Sequence, residues 1–392
     1  MLERRPTSTV VVEIVRKKFV RKSERGNDTT SVLIADPLSL PISKGLAGPG
    51  LLADTIIKRW LEHQPLHRQE AAFARERLEI ARSTLCGWHE AAAMTALPLI
   101  EAMRQDALRA PYLCVDSTGV LVMAPEKCRH GHFWVLVAPE LHVLFEFTKR
   151  HDGKAVDEVL GGYKGYLVAD AHAVYDHLYL DGRIVEVGCW EHCRRYFYKA
   201  LASDPERAKE ALAFISALFK IEACIAEEPR KKKEAVRSKK SAPIVRDFFA
   251  WCQHQKDLVL DESPMATAIG YAINQQKALE RFLEDGRLPL SNNISERELR
   301  RQAVGRKNWL FVGSEDGALA NTVFVSLIAS CQMHGIEPWA YLRDLFYLLP
   351  DWPRSRVLEL APAYWKQTLE KSEAQRRLDE NPLRRALVDS AP

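Results

Sequence analysis

A chain of 392 residues, 47% hydrophobic and 28% charged, is expected to fold into two or three domains with an ample core. No apolar run approaches the roughly 18 residues of a membrane span, and the apolar run 10–12 is cut short by Glu13, which excludes a signal peptide. The eight cysteines are scattered and none precedes Cys86, so a disulfide framework is not expected and a cytoplasmic location is; the net charge of +4 says less than its distribution would.

Residues 1–50 read as an irregular segment and linker. One strand is expected over 10–19, then a charged turn through Arg21, Lys22, Glu24, Arg25, Gly26, Asn27 and Asp28, then a linker marked by Pro37, Pro41, Gly45, Gly48, Pro49 and Gly50. From 51 to 110 the pattern turns helical. Leu52, Ile56, Ile57 and Trp60 share a face, Pro65 opens a second helix through Arg77, and Ser83 is placed to cap a third that carries Leu85, Trp88 and Ala92. With Arg75, Arg77 and Arg82 close by, this region is helix-turn-helix-like; an ordinary helical bundle fits the same pattern.

From Tyr112 the apolar period becomes two. A strand ends in Asp116, and residues 133–138 and 142–148 form a hairpin around Pro139 and Glu140. In its second arm Val143, Phe145 and Phe147 alternate with His142, Leu144 and Glu146, the pattern of a half-buried antiparallel strand. A helix over 154–160 leads to a strand ending in Asp170, then a short helix through Asp176, then a strand over 184–189. Three antiparallel strands followed by helix, strand, helix and strand is the ribonuclease H-like arrangement, an α/β fold with a mixed sheet in which neighbouring central strands carry the first two acids.

From Trp190 to about Leu290 no strand is expected, only helices at 191–202, 205–226, 243–256 and 264–284. The basic run 229–241 reads as a solvated linker or a nucleic-acid contact. Glu296 then falls one turn inside a helix opened by Ser291, Asn292 and Asn293. The gap from Asp170 to Glu296 is more than twice that from Asp116 to Asp170, which implies a helical insertion within the core. A helix over 318–334 ends at Gly335, another runs from Pro338 to Leu349, and the charged tail beyond Lys371 is expected to fray.

Asp116, Asp170 and Glu296 are the candidate catalytic and metal-ligating residues. Phosphodiester cleavage needs an activated nucleophile and stabilised charge on the attacking and leaving oxygens. Two Mg²⁺ ions roughly 3.5–4 Å apart serve both needs, and such hard ions take oxygen ligands; Mn²⁺ can substitute. Each acid also has an ordinary reading: Asp116 as a turn residue, Asp170 as a helix cap, Glu296 as a first-turn glutamate favoured by the helix dipole. Taken together on this strand order, the three favour a common site.

The stretch from Asn292 to Arg297, with Leu299-Arg300 and residues 305–311, resembles the third-acid signature of insertion-sequence-66 transposases, enzymes of the DDE type with a ribonuclease H-like catalytic domain. Residues 115–118 are similar to that family's first-acid strand, residues 168–170 with Tyr175 to its second, 189–195 to its Cys-x-x-His stretch, and 335–342 to its C-terminal element. The resemblance covers residues 40–350 and implies the triad Asp116, Asp170 and Glu296, with Mg²⁺ as cofactor, element ends and target DNA as partners, and a homo-oligomer on DNA. The family's spacing selects Glu296 over Glu298, which lies about 200° around the helix.

Arg297, Arg300, Arg301, Arg306 and Lys307 are then expected to hold phosphates, with Cys189, His192, Asn292 and Asn293 supporting the core. Cys189 and His192 also have zinc-like spacing, and Cys128, His130 and His132 offer the ligands for a second pair; a strand-end cysteine and helix-start histidine that orient the core is the more ordinary reading. The family's N-terminal cysteine pairs are missing around Phe19 to Glu24, so no structural zinc is expected there, and the chain reads as an N-terminally shortened copy. The division expected is 1–50, 51–110, a catalytic core at 111–200, an insertion at 201–289, the rest of the core at 290–350 and a tail at 351–392. A DNA-binding remnant without activity, and a nuclease on the same fold, remain the alternatives.

Overall fold

The computed structural model describes residues 9–21 and 31–389. β1 (Lys18–Arg21) and β2 (Ser31–Ile34) pair antiparallel as a separate two-stranded ribbon. The strand expected over 10–19 is thus almost wholly absent. Val11, Val15 and Phe19 are exposed, and a strand with no face to bury gains little from extension. The charged turn expected next lies outside the described residues except for Arg21.

α1 (Pro49–Trp60), α2 (Leu66–Arg75) and α3 (Arg82–Ala107) account for the helical region. Ser83 does not cap α3. The cap position is Ala81, and the Arg82 N–H donates to Glu70 of α2 at 2.9 Å, so a tertiary acceptor replaces the local one. α3 is long: Ala92, Ala93, Ala96, Leu99, Ile100 and Met103 are buried, and the helix packs on the core.

The sheet is mixed, in the order β5-β4-β3-β6-β7, from β3 (Tyr112–Val122), β4 (Arg129–Ala138), β5 (His142–Thr148), β6 (Gly165–Val168) and β7 (Ile184–Val187). β3, β4 and β5 are antiparallel neighbours, whereas β6 and β7 run parallel to β3. α4 (Gly153–Leu160) and a 3₁₀ turn (Ala173–Tyr179) make the crossovers, the latter in place of the short helix expected through Asp176. β5 is more deeply buried than its alternation implied, His142 and Leu144 included. Its free edge is closed by hydroxyls one helical turn apart. Ser330 accepts from the Val143 N–H (3.0 Å) and Ser326 from the Phe145 N–H (2.7 Å), which removes an exposed sheet edge.

After β7 come α5 (Trp190–Ala200), α6 (Pro205–Cys224), α7 (Arg230–Val236), α8 (Ala242–Lys256), α9 (Pro264–Asn274) and α10 (Gln276–Glu280). Trp190 packs against Phe248, Phe249 and Phe282 at the root of this helical unit. The basic run is not a linker. It is helical and joins α8 through one π turn, and Arg237 within it is buried against Glu222 (2.7 Å) and the carbonyls of Phe282, Asp285 and Leu288.

α11 (Asn293–Trp309), α12 (Glu315–Met333) and α13 (Pro338–Leu348) return to the sheet, followed by α14 (Pro362–Leu369), α15 (Ser372–Glu380) and α16 (Pro382–Asp389). The expected fraying beyond Lys371 is not found. Ala374 and Leu378 are buried, and Glu373 bridges Arg356 and Arg377 at 3.0 Å each. Among the described residues no helix is long and apolar enough to cross a membrane.

Candidate active site

β3 and β6 pair last at Cys114 and Val168. Asp116 and Asp170 each lie two positions beyond that pair, Asp170 past the end of β6, and Asp170 is near enough to act on the charge of Asp116. Asp116 does not end its strand, as the apolar run alone implied. β4 continues to pair with β3, with Asp116 opposite Val135, so Asp116 marks the end of the parallel pairing and not of the strand.

Glu296 arrives on the first turn of α11. The start of that helix is held by Asn292, which is fully buried. Its side-chain amide donates to the Val115 carbonyl (2.9 Å), one residue before Asp116, and its N–H donates to the Cys189 thiol (3.2 Å). Asn292 therefore joins the helix carrying one acid to the strand carrying another, and through Cys189 to the start of α5. Asn293 is exposed.

Asp170 and Glu296 both lie within electrostatic reach of Asp116. Burial raises the Asp116 pKa to about 7, and the negative charges of Asp170 and Glu296 add to the rise, while the Ser117 N–H and Arg195 oppose it. Glu298 points away, buried, and pairs with Arg301 (2.8 Å). The Glu296 carboxylate is forked by Arg195 of α5 (2.5 and 2.7 Å), with His192 Nε2 at 3.7 Å. The His192 pKa is lowered by burial and then by Arg195.

Two features were not anticipated. Arg195 was overlooked although it falls three residues after His192 and so on nearly the same helical face. The other is a group of rings beside the acids. His151 stacks on Trp134 (4.9 Å), lies 4.8 Å from His132 and 5.0 Å from His172, and its Nε2 is 2.9 Å from the hydroxyl of Ser117. No sequence spacing signals this group, because its members come from three separate segments.

Of the basic residues on α11, Arg297, Arg300 and Lys307 are exposed. Arg301 is committed to Glu298 and Gln332, and Arg306 donates to the Thr118 hydroxyl (2.9 Å) and the Gly119 carbonyl (2.5 Å), which ties the helix to β3.

The donor set suits a hard divalent cation in chemistry and charge: oxygen ligands from three elements, one of them held up in pKa by burial and, in smaller part, by the other two. Among the described residues, however, no three His, Cys, Asp or Glu side chains are arranged to hold an ion, and the partner of Glu296 is Arg195. The zinc pairing considered for Cys189 and His192 has no support in their contacts, since the thiol accepts the Asn292 N–H and the imidazole faces Glu296.

The class so defined is a mixed α/β protein with a carboxylate cluster where parallel strands meet the start of a helix, and with exposed cations along that helix. The chain matches the family model described as Transposase IS66 family over residues 44–320 and that of the IS66 C-terminal element over 326–363. It belongs to the IS66 transposase family. Relatives in Sinorhizobium fredii (strain NBRC 101917 / NGR234) include uncharacterized protein y4hP, 32% identical over 93% of this chain and 70% of its own length. Uncharacterized protein y4qI is 28% identical over 87% of this chain and 67% of its own length.

Proposed function

We propose that this chain is a DDE transposase that cuts DNA strands and joins them to a target, with Asp116, Asp170 and Glu296 as the catalytic carboxylates on a ribonuclease H-like core. The observation that carries this reading is the raised pKa of Asp116, produced by burial and by two acids brought from separate elements. A protein does not ordinarily gather like charges without a cation to balance them. The strand order, with three antiparallel strands followed by two parallel ones, supports the same fold assignment.

Two divalent ions, when bound, would supply an activated nucleophile and charge stabilisation at the attacking and leaving oxygens. The three carboxylates would hold them. Asn292 fixes the separation of Glu296 from the Asp116 strand, and Arg195 orients Glu296 in the cation-free protein. Arg297, Arg300 and Lys307 would bind DNA phosphates without reading sequence. The expected partners are element ends and target DNA, held by a homo-oligomer.

Asp170→Asn tests the assignment. The variant is expected to retain its fold by circular dichroism and to lose nicking and strand joining of element-end DNA in Mg²⁺ or Mn²⁺. Cleavage that survives the substitution would show that the acids have another role.

A further inference from the structure

Between the N-terminal helices and the loop that follows α11 lies a cleft of about 960 Å³. One wall carries Arg59, Trp60 and His89; the other carries Trp309, Leu310 and Phe311. Trp60 and His89 are 8% and 2% exposed, and Arg59 Nε, Trp60 Nε1 and His89 Nδ1 have no hydrogen-bond partner. The Arg59 guanidinium lies over the Trp60 ring at 4.9 Å, and burial pulls its pKa down to about 10. Among the described residues no carboxylate forms an ion pair with it. Glu70 and Glu90 also line the cleft, but Glu70 accepts the Arg82 N–H and Glu90 the Cys86 thiol, while the neutral His89 keeps Nδ1 as an acceptor because its Nε2 donates to Thr55. A desolvated cation without a carboxylate partner and the orphaned Trp60 N–H call for an anionic ligand with hydrogen-bond acceptors, and the Trp309 and Phe311 rings suit a flat ring.

The cleft is tied to the acid cluster by two structural spans. Val312 donates to the Leu121 carbonyl and the Met123 N–H donates to the Val312 carbonyl, both at 2.8 Å, which fastens the loop to the end of β3. From Asp116 to Val122 along β3 is about 20 Å, and from Glu296 to Trp309 along α11 is also about 20 Å. Exposed Arg297, Arg300 and Lys307 line the interval, all within about 100° of the direction of Glu296 around the helix. A strand with one phosphate at the acids and its backbone along this stripe arrives at the cleft roughly six nucleotides away, at about 3.4 Å per nucleotide.

We propose that this cleft binds one unstacked nucleotide of the DNA strand that runs along α11, with a phosphate at Arg59 and the base against the wall formed by Trp309 and Phe311. The proposal rests on the reading of this chain as a DNA-cutting enzyme and adds to it a second, non-catalytic contact with a single nucleotide. Stacking on aromatic side chains is tolerant of base identity, so the cleft selects an unpaired nucleotide and not a sequence.

The test uses the full chain and two short duplexes, one with a single unpaired 2-aminopurine nucleotide and one fully paired. The bulged duplex is expected to bind about tenfold more tightly, the gain typical of one stacked base, with quenching of 2-aminopurine fluorescence. Arg59→Met should reduce the bulged duplex to the level of the paired one, and Arg59→Lys should restore part of the preference. Equal affinity for the two duplexes with unchanged fluorescence would overturn the proposal, as would a preference that persists in a folded Arg59→Met protein. Nicking in Mg²⁺, measured in parallel, separates the two readings. A protein that nicks but shows no preference has no such pocket; one that prefers the bulge but never nicks retains the pocket and loses the proposed chemistry.

Discussion

Arg237 in the helical insertion and Asp116 in the sheet are both charged groups withdrawn from water, and their surroundings differ in kind. Arg237 pairs with Glu222 and donates to three backbone carbonyls, so every side of its guanidinium is met. Asp116 receives one N–H from Ser117 and is eased by Arg195 only in part, for it is buried and faces Asp170 and Glu296, charges of its own sign. The satisfied charge locks the insertion together, with the π turn between α7 and α8 held against the 3₁₀ turn Arg281–Leu283 and the chain beyond it. The unsatisfied charge has no structural benefit of that kind and marks a place built for a ligand.

Arg237→Ala should break the first half of this comparison with the largest effect. It strands the half-buried Glu222 and three carbonyls, and a loss of about 3–5 kcal/mol is expected in urea unfolding. A loss under about 1 kcal/mol would show that the insertion does not depend on this charge. Asn292→Ala comes next, at about 2 kcal/mol, because the buried Val115 carbonyl loses its donor. The same variant should weaken cation-induced stabilisation, measured as a shift in melting temperature with Mn²⁺.

Asp116→Asn sharpens the second half. The carboxyl pKa is about 7 in the folded chain against an ordinary 3.8, so between those values the folded state holds a proton that the unfolded chain has released. In the cation-free protein its contribution to stability therefore falls as pH rises from about 4 to about 7 and is level above. The asparagine variant should lack this slope and be more stable than the parent at pH 8 by about 1–2 kcal/mol. Urea titrations at pH 5 and pH 8 provide the check, and a difference that is the same at both would contradict it.

Arg195→Gln carries the smallest stability change, under about 1 kcal/mol, since the Arg195–Glu296 pair is partly exposed. Its effect belongs to the site. Removing the cation that forks Glu296 should raise affinity for Mn²⁺ severalfold by isothermal titration, with weaker binding counting against competition between Arg195 and the metal.

Much of the fold was legible in local pattern. The period-two runs from Tyr112 onward, the turn at Glu140 and the alternation of strand and crossover correspond to β3 through β7 in order. The N-terminal strand and the C-terminal tail were not, for opposite reasons. The apolar residues at 10–19 resemble a strand but find nothing to bury against, while the charged residues after Lys371 look solvated but find Arg356 and Trp352 to pack on. At the candidate site, the two strand acids and the first-turn glutamate stood out as residue types in position. Arg195, His151 and the fate of Arg301 and Arg306 did not.

The sequence by itself determined the period-two runs of the strands, their succession along the chain and the acids that follow the apolar residues of β3 and β6, because these are read from residues a few positions apart. The tertiary structure alone decided which charges are met and which are left facing one another. Arg237 finds Glu222 at a separation of 15 residues and Arg195 finds Glu296 at 101. A side chain's electrostatic partner is set by packing in space, and no local spacing encodes it.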